Sequence, residues 1–230
     1  HKEYRRQRQM CIRDSAGTAS WTDPTLMACG RFYPPHANSA EARLRFYASR
    51  FGLAEVDSSY YALPSAENAY LWAQRTPDDF VFNIKAYRLF TGHQTPLTAL
   101  PADIRQELGD WPEPVIYHRG MPDDLRDELW RRYTLALEPL RMADKLGAVH
   151  FQFPPWVQRD ARGMALVADC VRRLEDHLVS VEFRHRSWFA TPAATAATLA
   201  MERELGVVHT VVDAPQGFDN SVPAVWECTH

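Results

Sequence analysis

No stretch of the 230-residue chain approaches the roughly 18 consecutive apolar residues of a membrane span. Nor does its basic start lead into the apolar core of a secretory signal, so a cytoplasmic protein without membrane contact is expected. Cysteine is scarce: Cys11, Cys29, Cys170 and Cys228 lie far apart and form no C-x-x-C pair. A chain of this length needs no disulfide for stability, so free thiols in a reducing compartment are expected. There is no P-loop and no G-x-G-x-x-G run, which removes the usual support for a nucleotide cofactor. There is also no H-E-x-x-H or other ligand-spaced set, so no cofactor is expected and a divalent metal has little footing.

What is present fits an ordinary globule, with 46% apolar and 24% charged residues. The net charge of −3 is uneven. Residues 1–14 carry Lys2, Arg5, Arg6, Arg8 and Arg13 against Glu3 and Asp14, a net of +3, which leaves −6 on the remainder. A folded part of that sign argues against broad nucleic-acid affinity. Residues 1–14 lack periodicity and read as a non-native leader, with a disordered basic arm as the competing reading. The domain is therefore expected over 15–230.

Five short runs alternate apolar and polar residues: 53–57, 80–85, 149–152, 179–184 and 207–213. In a strand, successive side chains point to opposite faces. One face is then apolar, while the other gathers Glu55, Asp57, Asn83, Lys85, His150, Gln152, Glu182, Arg184, His209 and Asp213. Between the strands lie helical patterns. Asn38 and Glu41 suggest a capping box before Leu44, Tyr47 and Phe51, and Ser65 caps a helix carrying Ala69 and Trp72. Leu125, Leu129, Tyr133, Leu137 and Leu140 form an amphipathic stripe, and Thr191-Pro192 opens an Ala-rich helix. Residues 91–122, rich in proline, form a long irregular region that covers a site or holds small helices of its own.

Strands alternating with helices, without tight hairpin signals, imply a parallel sheet with right-handed crossovers. A doubly wound sheet would bury both strand faces, whereas a TIM-type (β/α) barrel lines its interior with one face and binds ligands at the strand C-termini. With a first strand at 16–20 and a last one ending at Asp213, six strands are visible and a barrel closes with eight. About two further βα units are thus expected beyond His230, and the chain as it stands would expose two sheet edges.

Several segments together resemble the YecE-like family, a domain of unknown function (DUF 72). They are 17–21 (GTASW), 32–35 (FYPP), 55–65 (EVDSSYYALPS), 82–86 (FNIKA), 151–155 (FQFPP), 181–189 (VEFRHRSWF) and 212–215 (VDAP). They occur in family order over residues 15–225. The resemblance implies a TIM-type barrel, with this chain a C-terminally truncated fragment of it, and it leaves the reaction open because fold alone supplies none.

The site is read from the residues themselves. Lys85 and Glu182 end strands on the interior phase and read as a general acid/base pair, with Asp213 as a third catalytic residue; the plainer reading is an interior ion pair. Arg184, His185, Arg88 and His93 are expected to hold a negative group, and Trp21, Tyr60 and Trp188 to form apolar walls. Ser20, Asp57 and Gln152 complete the binding set. The leading expectation is an intracellular hydrolase- or lyase-type enzyme acting on a small anionic substrate, such as a phosphate ester or sugar acid. Two rivals stay open. One is a metal-dependent phosphodiesterase or nuclease using Glu55 and Asp57 with Asp213 or His209; the other is a non-catalytic protein that binds a ligand or nucleic acid. Oligomeric state is not legible.

Overall fold

A computed structural model describes residues 15–218 and 221–230, so the basic leader, with Cys11, lies outside the described residues. Strand β1 (Gly17–Ala19) is followed by helices α1 (Pro24–Ala28) and α2 (Ala40–Ala48), then β2 (Leu53–Val56), α3 (Ser58–Tyr61), α4 (Ala66–Gln74) and β3 (Val81–Lys85). A small antiparallel pair, β4 (Thr95–Pro96) and β5 (Val115–Ile116), brackets α5 (Ala102–Leu108). The long α6 (Asp123–Met142) leads to β6 (Leu146–Phe153), α7 (Ala161–Arg172), β7 (Val179–Phe183), α8 (Pro192–Glu204) and β8 (Val208–His209).

The main sheet has the order β1-β2-β3-β6-β7-β8, with every neighbouring pair parallel. Its strands follow chain order without reversal, which separates it from a doubly wound sheet and matches the winding of a TIM-type barrel. All crossovers then lie on one side. That side buries Ala54, Val56, Phe82, Ile84, Val149, Phe151, Phe153, Val179, Val181 and Phe183. Each fully buried Phe there contributes about 1.5–3 kcal/mol. The opposite face carries the polar residues, as the alternation predicts for β2, β3, β6 and β7.

Caps explain where the helices begin. Ser65 and Thr191 accept backbone N–H groups at α4 and α8, and Asp160 does so at α7. At α2 the cap is Ser39 rather than Asn38: its hydroxyl takes the Ala42 N–H at 3.1 Å, while Glu41 pairs with Arg45 instead of closing a box. At the base of the sheet the buried Lys145 gives its ammonium to Ala73 O and Thr76 O, at 2.6 and 2.7 Å. That charge satisfies carbonyls at the C-terminal end of α4. The 91–122 region does contain small elements of its own, α5 and the β4–β5 pair.

One irregularity decides the geometry. Between Phe82 and Ile84 the register on β6 moves from Leu146 to Val149, so β6 holds one extra residue. Asn83 Oδ1 accepts the Ala148 N–H at 2.9 Å, and a Cβ on Gly147 would lie 2.3 Å from that same oxygen. Only glycine fits. Past the bulge His150 aligns with Lys85; without it, His150 and Gln152 would fall on the helix side.

β8 departs from expectation. It is two residues long and ends at His209, four positions before Asp213. In register, His209 lies beside Val181, so it faces the helices and not the interior. Its ring meets Glu202 of α8 at 3.0 Å. The backbone N–H of His209 goes to Thr229 Oγ1 at 2.8 Å, and that hydroxyl in turn donates to Val207 O, so side-chain bonds run here where a ladder would.

Candidate functional site

The polar row sits at the C-terminal ends of β2, β3, β6 and β7. Lys85, His150 and Ser180 are aligned at one level of the sheet, and Gln152 and Glu182 at the level above. Lys85 is fixed first by its backbone: Ser59 Oγ approaches Lys85 O at 2.6 Å, and the buried Tyr133 hydroxyl of α6 donates to the same carbonyl at 3.2 Å. Its ammonium donates to Asp57 Oδ1 at 2.8 Å. Asp57 occupies the N-cap position of α3 yet makes no capping bond, having turned its carboxylate to the lysine. The Lys85 side chain is 14% exposed and gives one of its three N–H groups to this pair, leaving two for a ligand.

Glu182 is the most heavily engaged group. Gln152 Nε2 donates to its Oε1 at 2.7 Å, Arg184 Nε donates to the same oxygen, and His150 Nε2 lies 3.2 Å from Oε2. Burial alone would raise this carboxyl, but the hydrogen bonds from His150 and Gln152, with the charges of His150 and Arg184, bring it down to about 2. Glu182 is therefore ionised at neutral pH and acts only as an acceptor. Because that carboxylate can only accept, His150 Nε2 carries a proton toward it, and His150 Nδ1 lies 3.0 Å from Ser180 Oγ on the other side of the ring. Serine, imidazole and carboxylate form one buried line, the order of groups that activates a hydroxyl in nucleophilic catalysis. Neither Lys85 nor Glu182 pairs with the other; His150 stands between them.

A second wall follows β3. Tyr60 is flanked by Lys85 Nζ at 5.3 Å and by the Arg88 guanidinium at 5.1 Å, and His93 meets its ring edge-on at 5.1 Å. Arg88 Nε is buried with no hydrogen-bond partner among the described residues. Burial, then the charges of Arg88 and Lys85, push His93 down to about 4. His93 is thus a neutral hydrogen-bonding ring at neutral pH, tied to Thr91 Oγ1 at 2.7 Å.

Other expected site residues are placed elsewhere. Trp21 is buried against Trp72 and Phe82 on the helix side, and Trp188 is fully buried, stacked 3.8 Å from Phe183 with its indole N–H on Val157 O. Both are core residues, because the chain turns back over the helical layer directly after β1 and β7. The Ser20 hydroxyl bonds within its own turn, to Thr22, and the backbone there holds the strained angle φ = 105°. His185 Nδ1 accepts the Ser187 N–H, so one nitrogen is spent as a local cap. Arg184 pairs with Glu182 rather than Asp57 and is 42% exposed, and its terminal nitrogens have no partner among the described residues. Asp213 is exposed beyond the end of β8 and bonds to none of the row. With Asp57 committed to Lys85 and His209 facing the helices, the residues of the metal reading do not meet. Among the described residues no group of three His, Cys, Asp or Glu side chains is placed to hold a metal ion.

Sequence reasoning missed Ser180 and, as an actor, His150. The alternation put His150 on the polar face but did not single out Ser180, which shares the phase of Glu182 two residues on; the signal lay in the pairing of His150 with Ser180 across β6 and β7. Trp156 was missed as well: it follows Pro154-Pro155 at the mouth, 56% exposed, with its N–H on Gly92 O.

A family model described as "Protein of unknown function DUF72" matches residues 15–230. The UPF0759 protein YunF of Bacillus subtilis (strain 168) is 34% identical over 213 residues, covering 93% of this chain and 65% of the relative. A crystal structure of a DUF72 family protein from Enterococcus faecalis V583 is similar with a TM-score of 0.69 at 22% identity, over 93% of this chain and 66% of that one. A DUF72 family protein from Thermotoga maritima MSB8 gives 0.63 at 22% identity, over 93% and 69%. This chain thus spans about two thirds of the length of the proteins it matches, and at these identities the two structures speak for the fold alone.

Proposed function

The chain belongs to the DUF72 family of proteins of unknown function, and from that premise we propose that it is an acid/base enzyme, hydrolase or lyase in type, acting on a small anion. One observation carries the reading. Lys85, Arg88 and Arg184, each with N–H groups left over, rim a buried Ser180–His150–Glu182 line at the end of the barrel where such folds place their ligands. The three cations hold a phosphate or carboxylate. His150 is the proton acceptor, and Glu182 fixes its tautomer and stabilises the imidazolium that forms. Asp57 and Gln152 hold Lys85 and Glu182 in place. The free thiols of Cys29, Cys170 and Cys228 support an intracellular setting, and no helix among the described residues is long and apolar enough to cross a membrane.

The test is a screen of phosphate esters and sugar acids for binding and turnover, repeated with Lys85→Met and Glu182→Gln. Both variants are expected to lower turnover at least 100-fold while keeping native far-UV circular dichroism. Wild-type turnover in both would remove the proposal. Occupation of both imidazole nitrogens favours a second reading, a binding protein without chemistry. Lys85-dependent anion binding with no turnover across the screen would establish it.

A further inference from the structure

The anion site continues into an aromatic wall that none of the chemistry above uses. Lys85 Nζ and the Arg88 guanidinium lie over Tyr60; Tyr60 meets His93 edge-on at 5.1 Å, and His93 meets Trp156 edge-on at 5.8 Å. The wall thus runs unbroken from the ammonium to solvent. At its outer end Trp156 is 56% exposed, although large aromatics at the ends of β1 and β7 are buried in the core. Its one polar atom is satisfied by Gly92 O at 3.0 Å, which fixes the indole and leaves its ring without a polar demand of its own. Neutral His93 adds no competing positive charge between the cationic end and the indole.

We infer that the anion recognised by Lys85 and Arg88 is carried on a flat unsaturated ring, an aryl group or nucleobase, that stacks on Trp156. This rests on the anion-site reading above and gives it a substrate class. A fixed indole favours a flat π-system over a puckered saturated ring, because offset stacking needs two planes in contact.

The probes are methyl phosphate, cyclohexyl phosphate and phenyl phosphate, titrated by calorimetry into the 230-residue chain and into Trp156→Ala, Trp156→Phe and Lys85→Met. In the wild type, phenyl phosphate is expected to bind about tenfold tighter than the other two. Trp156→Ala should erase that advantage and leave methyl phosphate unchanged, and Trp156→Phe should restore most of it. Lys85→Met should weaken all three alike. A phenyl advantage that survives Trp156→Ala, or cyclohexyl phosphate binding as tightly as phenyl phosphate, overturns the stacking while Lys85-dependent binding keeps the anion site. Affinities indifferent to Lys85→Met, or no binding of any probe, overturn both.

Discussion

Two strand histidines of this chain sit beside a buried glutamate: His150 lies 3.2 Å from Glu182 and His209 lies 3.0 Å from Glu202. As residue pairs they look alike. The first lies on the interior face, aligned with Lys85, joined to Ser180 and rimmed by Arg184. The second is sealed between β8 and α8, with its other nitrogen facing Val225 O and Phe189 packed on its ring. Base and carboxylate in contact do not make a site. Access, and unspent donors nearby, separate the two.

The comparison breaks most sharply at the bulge. Gly147→Val puts a side chain where Asn83 Oδ1 and Val81 now stand, and is expected to cost about 3 kcal/mol or more in urea denaturation. A wild-type midpoint would mean that β6 does not need the extra residue. Next, Glu202→Ala should cost about 2 kcal/mol by leaving His209 Nδ1 unpaired in the core, yet leave anion affinity untouched. A loss of affinity would place the second pair in the site.

Acid separates the pairs further. Because the folded-state pKa of Glu182 is depressed, its contribution to stability is complete above its ordinary 4.5 and is lost as pH falls toward about 2. The stability gap between wild type and Glu182→Gln should therefore shrink by about 2 kcal/mol from pH 7 to pH 3. A gap independent of pH would show that the carboxylate is not held by its neighbours.

The smallest effect belongs to His93, whose folded-state pKa is lowered to about 4 from 6.5. The unfolded chain binds that proton first, so His93 should contribute a fall in stability of about 0.7 kcal/mol between pH 7 and pH 6. Replacing His93 by Gln should flatten that slope in paired melts.

Four of the five alternating runs were legible because each has a buried partner on both sides, which leaves one phase open to polar residues. The fifth was not. Among the described residues β8 has a ladder partner on one side only, so its polar residues answer to α8 and to residues 225–229, and the run to Asp213 is not a strand. The bulge left no trace in the alternation, since a lone glycine before an apolar run is also how a loop ends. Trp21 and Trp188 were misplaced because position after a strand does not say which way the chain turns. Ser180 was hidden by its size and Trp156 by the prolines before it. Lys85, Arg88 and Arg184, the cations of the proposed rim, had all been singled out from the sequence.

Tyr133 belongs to an outer helix, yet its hydroxyl ends on the carbonyl of Lys85. The height of the ammonium is thereby clamped from outside the barrel, across the whole apolar layer. A phenylalanine there would fill the same volume and release the clamp, so packing and positioning part company at a single oxygen atom.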